Sequence, residues 1–202
     1  MLEKPATTST PIAELLARRW SPRAIDPGQP VSREQLLALL EAARWAPSCF
    51  GDQPWRYLVW DRFRDAEAWQ QAFACLAEGN QIWVKNAPIL LLSVAAPHFG
   101  HNQKPNRWAQ YDTGAASENL CLQATTLGLV AHQMGGFDAD QAKATFNIPT
   151  DHACMAMIAV GHPGPVDGLP EMLREKEQAP RERKSLAQIA FEGRWEQGFQ
   201  QE

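Results

Sequence analysis

A chain of 202 residues with a net charge of −4 can bury about 70% of its unfolded surface as one domain, with no disulfide or metal staple. That mild acidity supplies no broad basic field for nucleic acid, and no apolar run approaches the ~20 residues of a membrane span. Cys49, Cys75, Cys121 and Cys154 are widely spaced with no C-x-x-C pair, and residues 1–10 lack a signal-peptide apolar core, so the expectation is a soluble cytoplasmic protein with free thiols.

Thr10 followed by Pro11 predicts a helix start, with Ile12, Leu15 and Leu16 on one face, an end near Arg18 and Arg19, and a stop at Pro22. Arg19, Trp20, Ser21 and Arg23 come next. Two guanidiniums and a hydroxyl within five residues are the equipment for a phosphate, although a solvated basic helix end has the same composition. Ser32-x-x-Gln35 is a capping box that opens a helix through Arg44, with Leu36, Leu37, Leu39, Leu40 and Ala43 as its core face. The stretch 46–55 carries Pro47 and Pro54, which fix φ, and Gly51, which permits positive φ. Ser48, Asp52 and Gln53 lie between them. A stiff polar loop between a helix and a strand suits a ligand, or serves as a plain connection. Residues 56–61 read as a strand, buried over 57–60, and 65–76 as a helix near the surface.

Asn80 reads as a turn or cap residue after Gly79. On a helical turn it shares a face with Trp83. The apolar run 89–95 is a central strand. Residues 97–106 have no periodicity and read as a mobile loop; His98 and His101 have no Asp, Glu or Cys nearby to complete a metal site. The longest helix pattern spans 107–127. Its small residues Gly114, Ala115, Ala116 and Ala124 suit a subunit interface or a close intrachain neighbour, and Gly128 is its stop. A short strand then runs through His132, Gln133 and Met134 into Gly135-Gly136, where bare backbone can approach a planar ring, or simply turn. Asp138 caps the helix that follows. Residues 153–160 are a buried strand closing at Gly161-His162-Pro163-Gly164. Residues 165–179 read as a charged connection, and Arg181, Arg183 and Lys184 as a basic cluster or a solvated charge run. Most of the eight tryptophans belong to core or interface, with one or two free to sit against a planar ligand.

Taken in order, these segments resemble the nitroreductase family of flavin enzymes: the Arg-x-Ser-x-Arg motif at 19–23, Pro-Ser-Cys-x-Gly-x-Gln-Pro-Trp at 47–55, Asn80 before a strand, the Gln133 to Gly136 stretch, and Val-Gly-His-Pro at 160–163. The resemblance runs from Ile12 to about Trp195. It implies an α+β fold with a mostly antiparallel central sheet flanked by helices, in a homodimer with an exchanged C-terminal arm over 185–202. It implies FMN as cofactor, held by Arg19, Trp20, Ser21, Arg23, Ser48, Gln53, Asn80, Gln133, Met134, Gly135, Gly136, Arg183 and Lys184, with Arg181 an alternative. Trp20 stands where the family often has Arg or His, and Gly51 where it has Asn, so Gly51 carries no expected contact. The implied activity is ping-pong hydride transfer from NAD(P)H to electron-poor acceptors such as nitroaromatics, quinones or enones. A flavin enzyme of another reaction type, or a non-catalytic flavin-binding protein, is the alternative. With no G-x-G-x-x-G, P-loop or G-x-S-x-G, the protein has no evident nucleophile of its own, which suits chemistry that a cofactor carries.

Overall fold

Side chains that alternate between two faces along two neighbouring strands set the layers. The structure, a computed structural model, describes residues 2–199. Strands β1 (Trp55–Asp61), β2 (Ile89–Ala95), β3 (Val130–Met134) and β4 (Ala153–Gly161) form a wholly antiparallel sheet in the order β1-β2-β4-β3. From the central pair β2 and β4, Leu90, Leu92, Val94, Met157 and Ala159 face one apolar layer that includes Trp60, Trp69 and Trp83. Ile89, Leu91, Ile158 and Val160 face the other, against Leu36, Leu39, Leu120 and Ala124. All seven residues of β2 are buried, because both its faces are covered.

Two helices, α2 (Arg33–Arg44) and α5 (Ala109–Thr126), cover the second face. The first face is covered by α3 (Ala66–Ala74), α4 (Glu78–Val84), α6 (Ala139–Phe146) and α7 (Glu171–Gln178). This is the α+β architecture anticipated from the sequence. The Ser32–Gln35 capping box forms on α2, and Asp65 and Asp138 cap α3 and α6. Gly128, at φ +69, ends α5. No helix among the described residues is long and apolar enough to cross a membrane.

Four expectations need correction. The first helix, α1, spans only Glu14–Arg18, with Ala13 rather than Thr10 at its N-cap position. One turn has little intrinsic stability, so packing sets its bounds instead of capping. Residues 57–59 are half-buried, because β1 is an edge strand. The loop 97–106, expected to be mobile, is fastened by Asp52, whose carboxylate accepts from the Gly100 N–H at 2.8 Å and from Asn106 Nδ2 at 3.5 Å. The charged connection 165–179 contains α7, a helix that buries Leu173 and Glu177. The last three residues of the anticipated C-terminal arm lie outside the described residues; in the rest, the rings of Phe191 and Trp195 pack at a tilt of 51°, their centroids 4.7 Å apart.

Candidate functional site

After α1 the chain is pinned to the exit of β4. Ile25 bridges Pro163, Asp26 N–H donates to the His162 carbonyl at 2.9 Å, and Gly164 N–H donates to the Ala24 carbonyl at 2.8 Å. A Cβ at Gly164 would lie 2.6 Å from the Ile25 carbonyl carbon, so only glycine allows this approach. The anchorage fixes residues 19–23.

Their charges meet others from distant parts of the chain. Arg19 Nε lies 3.2 Å from Glu118 Oε1 on α5, and its Nη1 lies 3.5 Å from Ser21 Oγ. Arg23 Nη1 lies 3.5 Å from Glu177 Oε2 on α7. Arg181 donates to the carbonyls of Lys4 and Ala17, each at 2.8 Å. Lys4 in turn donates to the Glu177 carbonyl at 2.7 Å and sits 4.7 Å over the Trp20 ring. Among the described residues, Lys4, Arg19, Arg23 and Arg181 thus face two carboxylates, Glu118 and Glu177. Burial, with Arg19 and Arg183 adding repulsion, lowers the pKa of Arg181. Burial also lowers that of Lys4, opposed by Glu177 and assisted by Arg181 and Arg23. A surplus of partly desolvated cations with a hydroxyl beside them is a place for an anion.

The end of β3 adjoins this cluster. Gln133 Nε2 lies 3.5 Å from Cys121 Sγ. That thiol is pushed up to about 12 by burial and by Glu118, against the pull of Arg19, so Gln133 and Arg19 share one neighbourhood. The Gly136 carbonyl accepts from Ala77 N–H at 3.0 Å and from Asn80 Nδ2 at 2.9 Å. An added Cβ at Gly136 would come 2.8 Å from Asn80 Nδ2, whereas one at Gly135 would meet nothing within 4 Å. Gly135 therefore borders open space with bare backbone. The Met134 side chain is buried in the core and leaves only its backbone near this surface.

His132 ties the two parts together. Its ring lies 4.6 Å from Trp83, and its Nδ1 donates to the Pro22 carbonyl at 3.0 Å. Burial, reinforced by Arg23 and Arg19 against the Pro22 bond, lowers its pKa to about 4. A depressed imidazole binds fewer protons folded than unfolded, so its stabilisation is complete above about pH 6.5 and is lost as pH falls toward 4. Urea unfolding at pH 7 and pH 4.5 is expected to show that His132→Gln removes about 2 kcal/mol of the acid destabilisation seen in the unmodified chain. Equal losses in both proteins would contradict a buried neutral ring.

The loop 48–53 forms a second group. Phe50, Gly51 and Gln53 all have positive φ, at 55°, 67° and 51°. Gln53 N–H donates to Ser48 Oγ at 3.0 Å, and Cys49 N–H to the buried Asp112 at 3.0 Å. These bonds and the Asp52 clasp hold a backbone that non-glycine residues rarely adopt. Asp112 and Glu118 are six residues apart on α5, about 9 Å along its axis. Among the described residues, no hydrogen bond or ion pair joins Ser48 or Gln53 to the Arg19 cluster.

One chain therefore brings together Arg19, Ser21, Arg23, Asn80, Gln133, Gly135 and Gly136, with Trp20 turned toward Lys4. Ser48 and Gln53 stand apart. Arg183 and Lys184 are exposed, Arg183 donating to the Glu182 carbonyl, while Arg181 is the basic residue set beside Arg19. Sequence reasoning did not single out Lys4, Asp112, Glu118 or Glu177. Only Asp112 left a signal, a carboxylate among the small residues of a buried helix face. Among the described residues, no group of three or more His, Cys, Asp or Glu side chains is placed to hold a metal ion.

The profile of the Nitroreductase family matches residues 16–162. A crystal structure described as an oxidoreductase containing FMN superposes with a TM-score of 0.87 at 39% identity, covering 94% of this chain and 95% of that one. A Desulfovibrio desulfuricans protein described as a nitroreductase in complex with FMN gives 0.70 at 26% identity, covering 93% and 99%. A Streptomyces coelicolor protein named as an NADH dehydrogenase/NAD(P)H nitroreductase is 27% identical over 157 residues, 68% of this chain and 78% of that one.

Proposed function

The chain belongs to the nitroreductase family, and from that premise we propose that it is a single-domain, FMN-dependent oxidoreductase that passes hydride from NAD(P)H to small electron-poor acceptors. Nitroaromatics, quinones and enones are the acceptor class, and the donor leaves before the acceptor binds. The observation that carries this reading is the continuity of the cationic cluster at Arg19, Ser21 and Arg23 with the bare backbone at Gly135.

The residues present fit FMN. Arg19 and Ser21 would take the phosphate, with Arg181 behind them. The open space at Gly135 would admit the planar ring, and Asn80 and Gln133 offer amides at its edge. Bound there, FMN supplies the two-electron chemistry for which the chain has no group of its own. The chain's task is orientation: glycine backbone lets a ring approach closely, and the cations hold its anionic tail. Exposed Phe50, Tyr111, Ile189 and Trp195 support a homodimer in which the segment after Ser185 reaches a second copy. Such a partner would bring further side chains to the ring, and the Ser48–Gln53 loop is the natural contributor. Four unpaired cysteines support a cytoplasmic location.

The purified protein is expected to be yellow. Anaerobic NADH or NADPH is expected to bleach its visible flavin bands, and addition of a nitrofuran or quinone to restore them. A colourless protein that takes up no FMN would defeat the proposal, and a bound flavin that neither nucleotide bleaches would defeat the enzymatic part of it.

A further inference from the structure

Glu177 is 1% exposed, yet it lies in the most highly charged stretch of the chain and beyond residues 16–162, where the family profile matches. Its Oε1 accepts two successive backbone N–H groups, Arg23 at 2.7 Å and Ala24 at 3.1 Å. Its Oε2 lies 3.5 Å from Arg23 Nη1 and has no hydrogen-bond partner among the described residues. Four residues later, Arg181 holds the carbonyls of Lys4 and Ala17. The end of α7 and the residues just after it therefore grip the backbone on both sides of Arg19 and Ser21, while His132 holds Pro22 from the sheet.

A buried carboxylate is costly unless hydrogen bonds and a counter-charge offset it; this one accepts two, both through Oε1, from a segment 154 residues away, and sets Oε2 against Arg23. We propose that Glu177 is a positioning residue for the anion site: it fixes the turn at Arg23 and Ala24 and the direction of the Arg23 guanidinium, so that the segment 19–23 receives the FMN phosphate preformed. The inference rests on the FMN reading above. It concerns the phosphate end alone, so its signature is selectivity between FMN and riboflavin, which share a ring and differ in the phosphate.

The test is fluorescence titration of the full-length protein with FMN and with riboflavin. Removing a carboxylate beside cations would, by charge alone, tighten phosphate binding. If Glu177 acts by position, Glu177→Gln instead weakens FMN about tenfold and leaves riboflavin within about twofold. Glu177→Asp keeps the charge but withdraws the oxygens by one methylene. It is expected to show the same selective loss, and it carries the test should the Gln variant not fold. Tighter or unchanged FMN binding, or equal losses for both flavins, would overturn the inference while leaving the FMN reading in place. Failure of the unmodified chain to bind FMN would instead overturn that reading.

Discussion

Replacing Arg19 with Ala is expected to weaken FMN binding about 10- to 100-fold, the largest effect on affinity of any single side chain in the site. A hydrogen bond between ionised partners is worth about 1.5–3 kcal/mol when its loss strands the other charge, and each 1.4 kcal/mol is tenfold. Arg19 is set for this role. Its side chain is 19% exposed, Glu118 engages Nε, and Nη1 is turned toward Ser21. The guanidinium is thereby aimed before any ligand arrives, and little side-chain entropy remains to be lost on binding. Glu118 has the opposite sign of effect. Its side chain is 45% exposed and competes for Arg19 from the rim, so Glu118→Gln is expected to tighten FMN about threefold, within the range of a partly exposed ion pair. Both are read from the titration of FMN fluorescence in the purified chain. An Arg19→Ala protein within threefold of the unmodified one would remove the phosphate from this cluster.

Those expectations use a geometry only half legible in the sequence. The strands were readable because burial on two faces leaves a continuous apolar run: 89–95 is β2 to the residue. The caps at Ser32 and Asp138 were readable because an N-cap acts on its own next turn. Glu177 is the contrary case. A glutamate among charges on an eight-residue helix has the pattern of a solvated face, and what buries it is a backbone turn at Arg23 far away in the chain. Lys4 and Glu118 were hidden for the same reason. Their roles are pairings over long separations, which periodicity cannot report. The 48–53 loop was legible as stiff but not in its mechanism. Pro47 and Pro54 bound it, yet the clasp comes from Asp112 and from Asp52 reaching Gly100. Among the cations, Arg181 rather than Arg183 or Lys184 stands beside Arg19, because its bonds to Lys4 and Ala17 turn it inward.

Trp83 tests the boundary between core and site from the other side. Sequence spacing put it on one helical face with Asn80. In the fold it is 1% exposed, packed in the layer that holds Trp60, Trp69 and Leu90, with the His132 ring 4.6 Å away. Emptying that volume is expected to cost about 3–5 kcal/mol, the range for truncating a large buried aromatic. For a chain of this length, that lowers Tm by about 10–15 °C. The measurement belongs on flavin-depleted protein, so that ligand linkage does not enter. Trp83→Phe keeps most of the apolar volume and is expected to lose less than half as much. A second effect follows through His132. Without the indole beside it, the imidazole gains freedom, its hold on the Pro22 carbonyl loosens, and FMN affinity is expected to fall about threefold in the fraction that stays folded. The order of these effects decides the matter. A large loss of stability with a small loss of affinity makes Trp83 a support beneath the site, whereas an unchanged Tm with a large loss of affinity would place the indole against the flavin and contradict the packing described above.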